Sequence, residues 1–203
     1  MLMVTKVSFS SFLYHRLLKE KLEKAFLDVF KQHIDKSILE LDENNPLIRK
    51  ERQMKMGPLY SPTCDVAVGP FSFKEGNLND VYYHLTRIEE IKCFVKGLQK
   101  ISLGSGYNEV LLDLNNNPRC FIAVEIENTT AKDVKHLLGS ITNCSLLGKI
   151  GITIIFDEYL DYGRRLLEYL AFAKRVKKAS KDLFGNVFVV SKSCIDHLLQ
   201  ISE

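Results

Sequence analysis

Apolar residues recur at three-to-four spacing from Ser11 to about Leu41, as Leu13, Leu17, Leu18, Leu22, Ala25, Phe26, Val29, Phe30 and Ile34, with Lys and Glu between them. The pattern predicts one long amphipathic helix over 11–41, with a break near Lys36 allowed. Asp42 to Tyr60 is polar and carries Asn45-Pro46 and Gly57-Pro58, so it reads as a loop. The β-branched run Asp65-Val66-Ala67-Val68 reads as a strand. Leu78 to Lys96, bounded by Gly76-Asn77 and Gly97, reads as a second amphipathic helix. Glu109 to Leu114, the turn Asn115-Asn116-Asn117-Pro118 and the run Cys120 to Glu127 together predict a β-hairpin. A helix from Ala131 to about Leu147, a strand from Ile150 to Phe156, a helix from Tyr159 to Ser180 and a strand from Asn186 to Val190 complete the chain. No internal repeat or low-complexity segment interrupts this α/β order.

The chemistry concentrates in Glu125-Ile126-Glu127. In an extended strand the two carboxylates share one face, and Ile122, Val124 and Ile126 share the other. Neighbouring like charges on a half-buried strand repel and lose hydration, and a divalent cation offsets both costs. An edge strand with a wet face is the plainer alternative.

Composition narrows the setting. A length of 203 residues with 46% hydrophobic content supports one α/β core and is short for two domains, so 1–203 is expected to be a single domain. No stretch approaches 18 uncharged apolar residues, and the first residues lack a long apolar leader, which points to a cytoplasmic protein with no membrane contact. The five cysteines contain no C-x-x-C pair and the five histidines no metal spacing, so neither a disulfide framework nor a zinc ribbon is indicated. Cys64, Cys93 and Cys120 are expected to pack as small hydrophobes. Net charge is +3 but uneven. Tyr159 to Lys181 holds seven basic residues against Asp161 and Glu168, while the rest of the chain, with 21 basic and 23 acidic, carries −2. Lys174, Arg175, Lys177 and Lys178 are the candidate phosphate contacts; a solvated helix end complementing the helix dipole is the alternative.

Pro62 and Asp65, then Glu125-Ile126-Glu127, then strand–helix–strand, form an arrangement that resembles the PD-(D/E)XK nuclease superfamily across roughly the middle half of the chain. The resemblance implies a restriction-endonuclease-like fold, a central mixed β-sheet flanked by helices, with the acids projecting from neighbouring strands into one cleft. It implies metal-dependent hydrolysis of nucleic acid, DNA in the first instance. Asp65 and Glu125 would hold Mg²⁺ (or Mn²⁺) with the Ile126 carbonyl, and Glu127 would orient or deprotonate the attacking water or bind a second metal. The sequence departs from the family where its lysine usually stands, two residues after the second acid. That position is Glu127, a substitution some metal-dependent restriction endonucleases of this superfamily share. Lys132 or Lys135 could approach from the following helix. Asp113, twelve residues before Glu125, competes with Asp65 as first ligand; Asp65 is preferred because it opens its strand after a proline. Glu20 and Glu23, on the first helix, read as solvated helix-face charges. Two further classes stay open. One is a catalytically inactive nuclease-like module that binds nucleic acid or protein; the other is an interaction protein that forms a homodimer through its first helix.

Overall fold

The computed structural model describes residues 11–39, 48–50, 62–72, 78–104, 111–128 and 134–201. Helices α1 (Ser11–His33) and α2 (Lys36–Leu39) precede strands β1 (Ile48–Lys50) and β2 (Val66–Val68). Helices α3 (Asn79–Leu85) and α4 (Glu89–Ile101) follow, then β3 (Cys120–Glu127), α5 (Val134–Leu147) and β4 (Gly148–Ile155). A 3₁₀ turn (Asp157–Tyr159), α6 (Leu160–Arg175), β5 (Val187–Ser191) and α7 (Lys192–Leu199) end the chain. The strands form one mixed sheet in the order β1-β2-β3-β4-β5, antiparallel from β1 to β3 and parallel from β3 to β5. The expected α/β architecture, a mixed sheet flanked by helices, is therefore present.

Strands β3 and β4 follow from sequence. All eight residues of β4 are buried, as a strand covered on both faces requires, and its run is correspondingly apolar. Ile122, Val124 and Ile126 of β3 join Ile150, Ile152 and Ile154 of β4 on one face, where α1, α3, α4 and α7 cover them. The opposite face carries Ala67, Ala123, Val187 and Val189 under α5 and α6. Parallel pairing of β3 with β4 needs a crossover, and α5 supplies it. Gly151 lets α5 come close: a Cβ there would meet the Cys144 carbonyl oxygen at 3.0 Å and Val187 Cγ2 at 2.9 Å.

The first helix ends at His33. Asp35 then starts α2 by accepting the Ser37 amide (2.8 Å) and hydroxyl (2.7 Å), so the break falls beside the expected Lys36. Residues 40 and 41 of that expected helix lie outside the described residues. Leu18, Leu22, Phe26, Phe30 and Ile34 are buried within the chain, joined by Tyr14, while Leu13 and Ala25 stay exposed. This stripe is used on the sheet rather than on a second copy. Phe30 is fully buried, 5.6 Å edge-to-face from Phe121 and 5.7 Å from Phe26. Phe30→Ala should cost about 3–5 kcal/mol of unfolding free energy, measured by denaturant titration at unchanged m-value.

Four expectations are corrected. The polar stretch 42–60 contains β1 at 48–50, where Ile48 is fully buried; the other positions of that stretch lie outside the described residues. The helix over 78–96 is two, because Thr86 turns back to donate its hydroxyl to the Tyr83 carbonyl (2.8 Å) and Ile88 is extended. The second of these, α4, continues through Gly97, whose missing side chain makes room for Leu198 of α7. The hairpin is absent over 111–114, where the chain turns; β3 already has β2 and β4 on its two edges and cannot accept another strand. Asn115 instead donates its side-chain amide to the carbonyls of Ser145, Leu146 and Gly148 and so caps the end of α5. Among the described residues no helix is long and apolar enough to cross a membrane.

Candidate functional site

Asp65 stands at the end of the β2–β3 ladder beside Glu125, and Glu127 lies two residues farther along β3 on the face that Glu125 shares. Val66 pairs with Val124 and Ala67 with Ala123, so one further step of the antiparallel ladder sets Asp65 opposite Glu125. Asp65 precedes the ladder and finishes it with its side chain: Oδ2 accepts the Ile126 backbone N–H at 2.7 Å. A carboxylate thus takes the amide that the ladder's end would leave unpaired, and the first acid is fixed against the second acidic strand. The competing Asp113 lies exposed in the turn region before β3 and stands nowhere on the sheet.

Helix α5 grips the two glutamates. Asn143 Nδ2 donates to Glu125 Oε1 at 3.0 Å, and the Ser140 hydroxyl donates to Glu127 Oε1. These two partners were not anticipated, although Ser140 and Asn143 are i,i+3 neighbours on the helix that follows the acidic strand. Both acids are half-buried. The charge of Glu125 is felt by the thiols beneath it. Burial first and Glu125 second push the Cys144 thiol well above its ordinary range. Cys64 is pushed up as well, by its hydrogen bond with Cys120, then burial, then the Cys120 and Glu125 charges. Cys64, Cys120 and Cys144 are buried packing thiols, whereas Cys93, expected inside, is exposed. Thr153 pairs with Glu125 across the parallel ladder and is fully buried. Its hydroxyl faces the Cys144 thiol, a weak partner, and meets no other hydrogen-bond partner among the described residues.

The donor set is two acids side by side with a third one notch along the strand. Glu127 stands two residues beyond Glu125, about 7 Å along the strand. Among the described residues no three His, Cys, Asp or Glu side chains converge closely enough to hold a metal ion. Lys135 is exposed on the first turn of α5, and Lys132 lies outside the described residues. Lys149 is buried on β4, where it donates to Asn115 O (3.0 Å) and Asn79 Oδ1 (3.3 Å), but it is four residues from Thr153, about 13 Å along the strand. Glu20 pairs with Arg16 at 2.9 Å on the exposed side of α1 and does not reach the acids.

The basic residues sit elsewhere. Chain direction places the start of α6 just past Ile155, which pairs with Glu127, and α6 then runs back for 16 residues, about 24 Å, before its basic end. Arg175 lies over Phe172, 5.7 Å from the ring centre. Lys174 is half-buried; burial lowers its pKa, and the Asp182 charge opposes that shift. Lys177 occupies a left-handed position (φ 58) that closes the helix, with Lys178 N–H donating to Ala173 O at 2.8 Å. Asp65 and Glu125 are neighbours, with Glu127 two residues farther along β3; Lys174, Arg175, Lys177 and Lys178 lie apart from them, at the far end of α6.

No family model, curated protein or solved structure matches this chain.

Proposed function

We propose that the chain is a metal-dependent hydrolase of nucleic-acid phosphodiesters, a nuclease of the PD-(D/E)XK kind, with DNA as the first substrate to test. The observation that supports it most is Asp65 set opposite Glu125 and bonded to the Ile126 amide, on the face that also carries Glu127. Carboxylates and a main-chain carbonyl are the hard oxygen donors that Mg²⁺ and Mn²⁺ take, and Asp65, Glu125 and the Ile126 carbonyl are the group that fits. When bound, such an ion polarises a phosphate oxygen and acidifies a water. Glu127 stands too far along the strand to share that ion without leaving Ser140, so its role is to accept the proton of the attacking water. Asn143 holds Glu125 in one orientation from α5. Lys174, Arg175, Lys177 and Lys178 would bind phosphates at the far end of α6, a helix about 24 Å long that starts beyond the end of β4.

A specific observation favours the second reading, an inactive nuclease-like binding module. Each of the three acids already has a protein donor, from Ile126, Asn143 and Ser140, and needs no cation to be satisfied. Cleavage assays separate the two readings. Purified protein with Mg²⁺ or Mn²⁺ should cut at least one of duplex, branched or single-stranded DNA. Changing Lys174, Arg175, Lys177 and Lys178 together to alanine should weaken binding and reduce the slope of log affinity against log salt by about 3, since Lys174 is half-buried and contributes least. Protein that binds nucleic acid but cuts none of these, or RNA, with either ion supports the inactive module; protein that does neither removes the nuclease reading and favours an interaction protein.

A further inference from the structure

We propose that the outer face of α6 is a track for single-stranded nucleic acid, an inference that rests on the nucleic-acid reading above and narrows its substrate to strands with unpaired bases. Arg165, Tyr169, Phe172 and Val176 fall at i, i+4, i+7 and i+11, which is a single line along the helix. The opposite side of α6 buries Leu166, Leu167 and Ala173 against the sheet layer. On the outer line Tyr169 is 65%, Phe172 47% and Val176 42% exposed. Three large apolar groups in register on one helix are more than scattered surface exposure, and the sheet does not use them.

The neighbours of these rings are cationic. Arg175 stacks beside Phe172, Arg165 stands one turn before Tyr169, and Lys177 and Lys178 are exposed at the helix end. The helix carries two acids, of which Asp161 is tied to Arg164 at 3.3 Å and Glu168 flanks the line. Two rings between positive groups are complementary to a chain that offers phosphates and bare base faces together. Tyr169 and Phe172 are three residues apart, about 4.5 Å along the axis, close to the 3.4 Å between stacked bases of one strand. A duplex hides its base faces and would use the cations alone. A protein partner would cover the rings but would leave the local excess of positive charge unanswered.

The test measures binding of the full chain to a fluorescent oligothymidylate of about 16 nucleotides, the upper end of common single-strand site sizes, and to the same strand annealed to oligoadenylate. The free strand should bind more tightly. Tyr169→Ala and Phe172→Ala should each weaken that binding about 5- to 100-fold with an unchanged salt slope, because stacking and not phosphate contact is lost. Tyr169→Phe should keep wild-type affinity. Lys177→Ala with Lys178→Ala should lower the salt slope by about 1–2. All four variants should keep the wild-type melting temperature, since the groups are exposed. Aromatic variants that bind like wild type, equal affinity for the duplex, or self-association in sedimentation that disappears in Phe172→Ala would each overturn the track. Its failure is distinct from that of the hydrolysis reading: metal-dependent cleavage with unaffected aromatic variants keeps hydrolysis alone, and ring-dependent binding without cleavage keeps the track alone.

Discussion

Glu125→Ala should reduce metal-dependent cleavage by about 100- to 1,000-fold while leaving nucleic-acid affinity near wild type. The loss corresponds to the several kcal/mol that a bound metal contributes to a phosphoryl transition state, and Glu125 serves the metal rather than the nucleic-acid backbone. A second readout separates this from simple damage. Glu125 is half-buried, opposite Asp65 and above the Cys64 and Cys144 thiols, so its charge is a cost to the metal-free fold. Its removal also leaves Asn143 without the acceptor it holds at 3.0 Å, a loss of about 1 kcal/mol. The two effects oppose, and the metal-free variant should melt within a few degrees of wild type. Excess Mn²⁺ should raise the wild-type melting temperature, by the equivalent of about 2.7 kcal/mol at a hundredfold excess over Kd, and leave Glu125→Ala unmoved. A variant that unfolds without metal, or one stabilised by Mn²⁺ as strongly as wild type, counts against the assignment.

The largest stability effect is expected in alkali. The Tyr14 hydroxyl is buried and donates to Asp196 Oδ1 at 2.8 Å, while Lys192 Nζ bonds Asp196 Oδ2 at 2.6 Å. Burial, then the Asp196 charge, holds Tyr14 far above its ordinary 10.0. Burial, then the Cys120 charge, does the same for Tyr82, whose hydroxyl donates to Pro70 O at 2.8 Å. Cys64 and Cys144 are likewise raised from 9.0. A raised pKa means that the folded state keeps a proton which the unfolded chain has already lost. The stability from these groups is therefore complete below pH 9 and declines above it, by about 1.4 kcal/mol per pH unit for each group once its unfolded pKa is passed. Lys149 and Lys174, lowered from 10.5 chiefly by burial, act in the opposite sense up to that pH and not beyond it. The net loss should steepen above 10.5. For a domain stable by about 5–15 kcal/mol, cooperative unfolding should fall between about pH 10 and 12. Denaturant midpoints across that range should drop steeply, and Tyr82→Phe should flatten the slope by one group's worth; midpoints constant to pH 12 would contradict the burial.

The elements legible in sequence were those whose period survives in the folded chain. The acid-bearing strand β3 and the all-buried β4 were readable from apolar runs, and α1 from its stripe, because each buries a face long enough to repeat. Strand β1 has three residues, Ile48–Lys50, which is too short for a period. Helix α7 is too short to show a period, although Ser191 accepts the Cys194 amide at 3.2 Å as an N-cap; its eight residues follow β5 without a break. The leucines at 111, 112 and 114 imitated a strand, and only sheet order, a long-range property, excludes it. At the site, the period-two rule put Glu125 and Glu127 on one face. It could not place Asp65 opposite Glu125, since that depends on β2–β3 register, nor foresee Ser140 and Asn143, since their direction depends on how closely α5 approaches over Gly151.

Whether Asp65 and Glu125 share one cation is tested most directly in a crystal soaked with Mn²⁺, through the anomalous scattering of the metal. The expected result is a peak with oxygen ligands at about 2.1–2.3 Å from Asp65, Glu125 and the Ile126 carbonyl, lost in Glu125→Ala crystals. A peak bound by Asp113, or Mn²⁺ that binds the protein in solution yet leaves Asp65 and Glu125 untouched in the crystal, would contradict it.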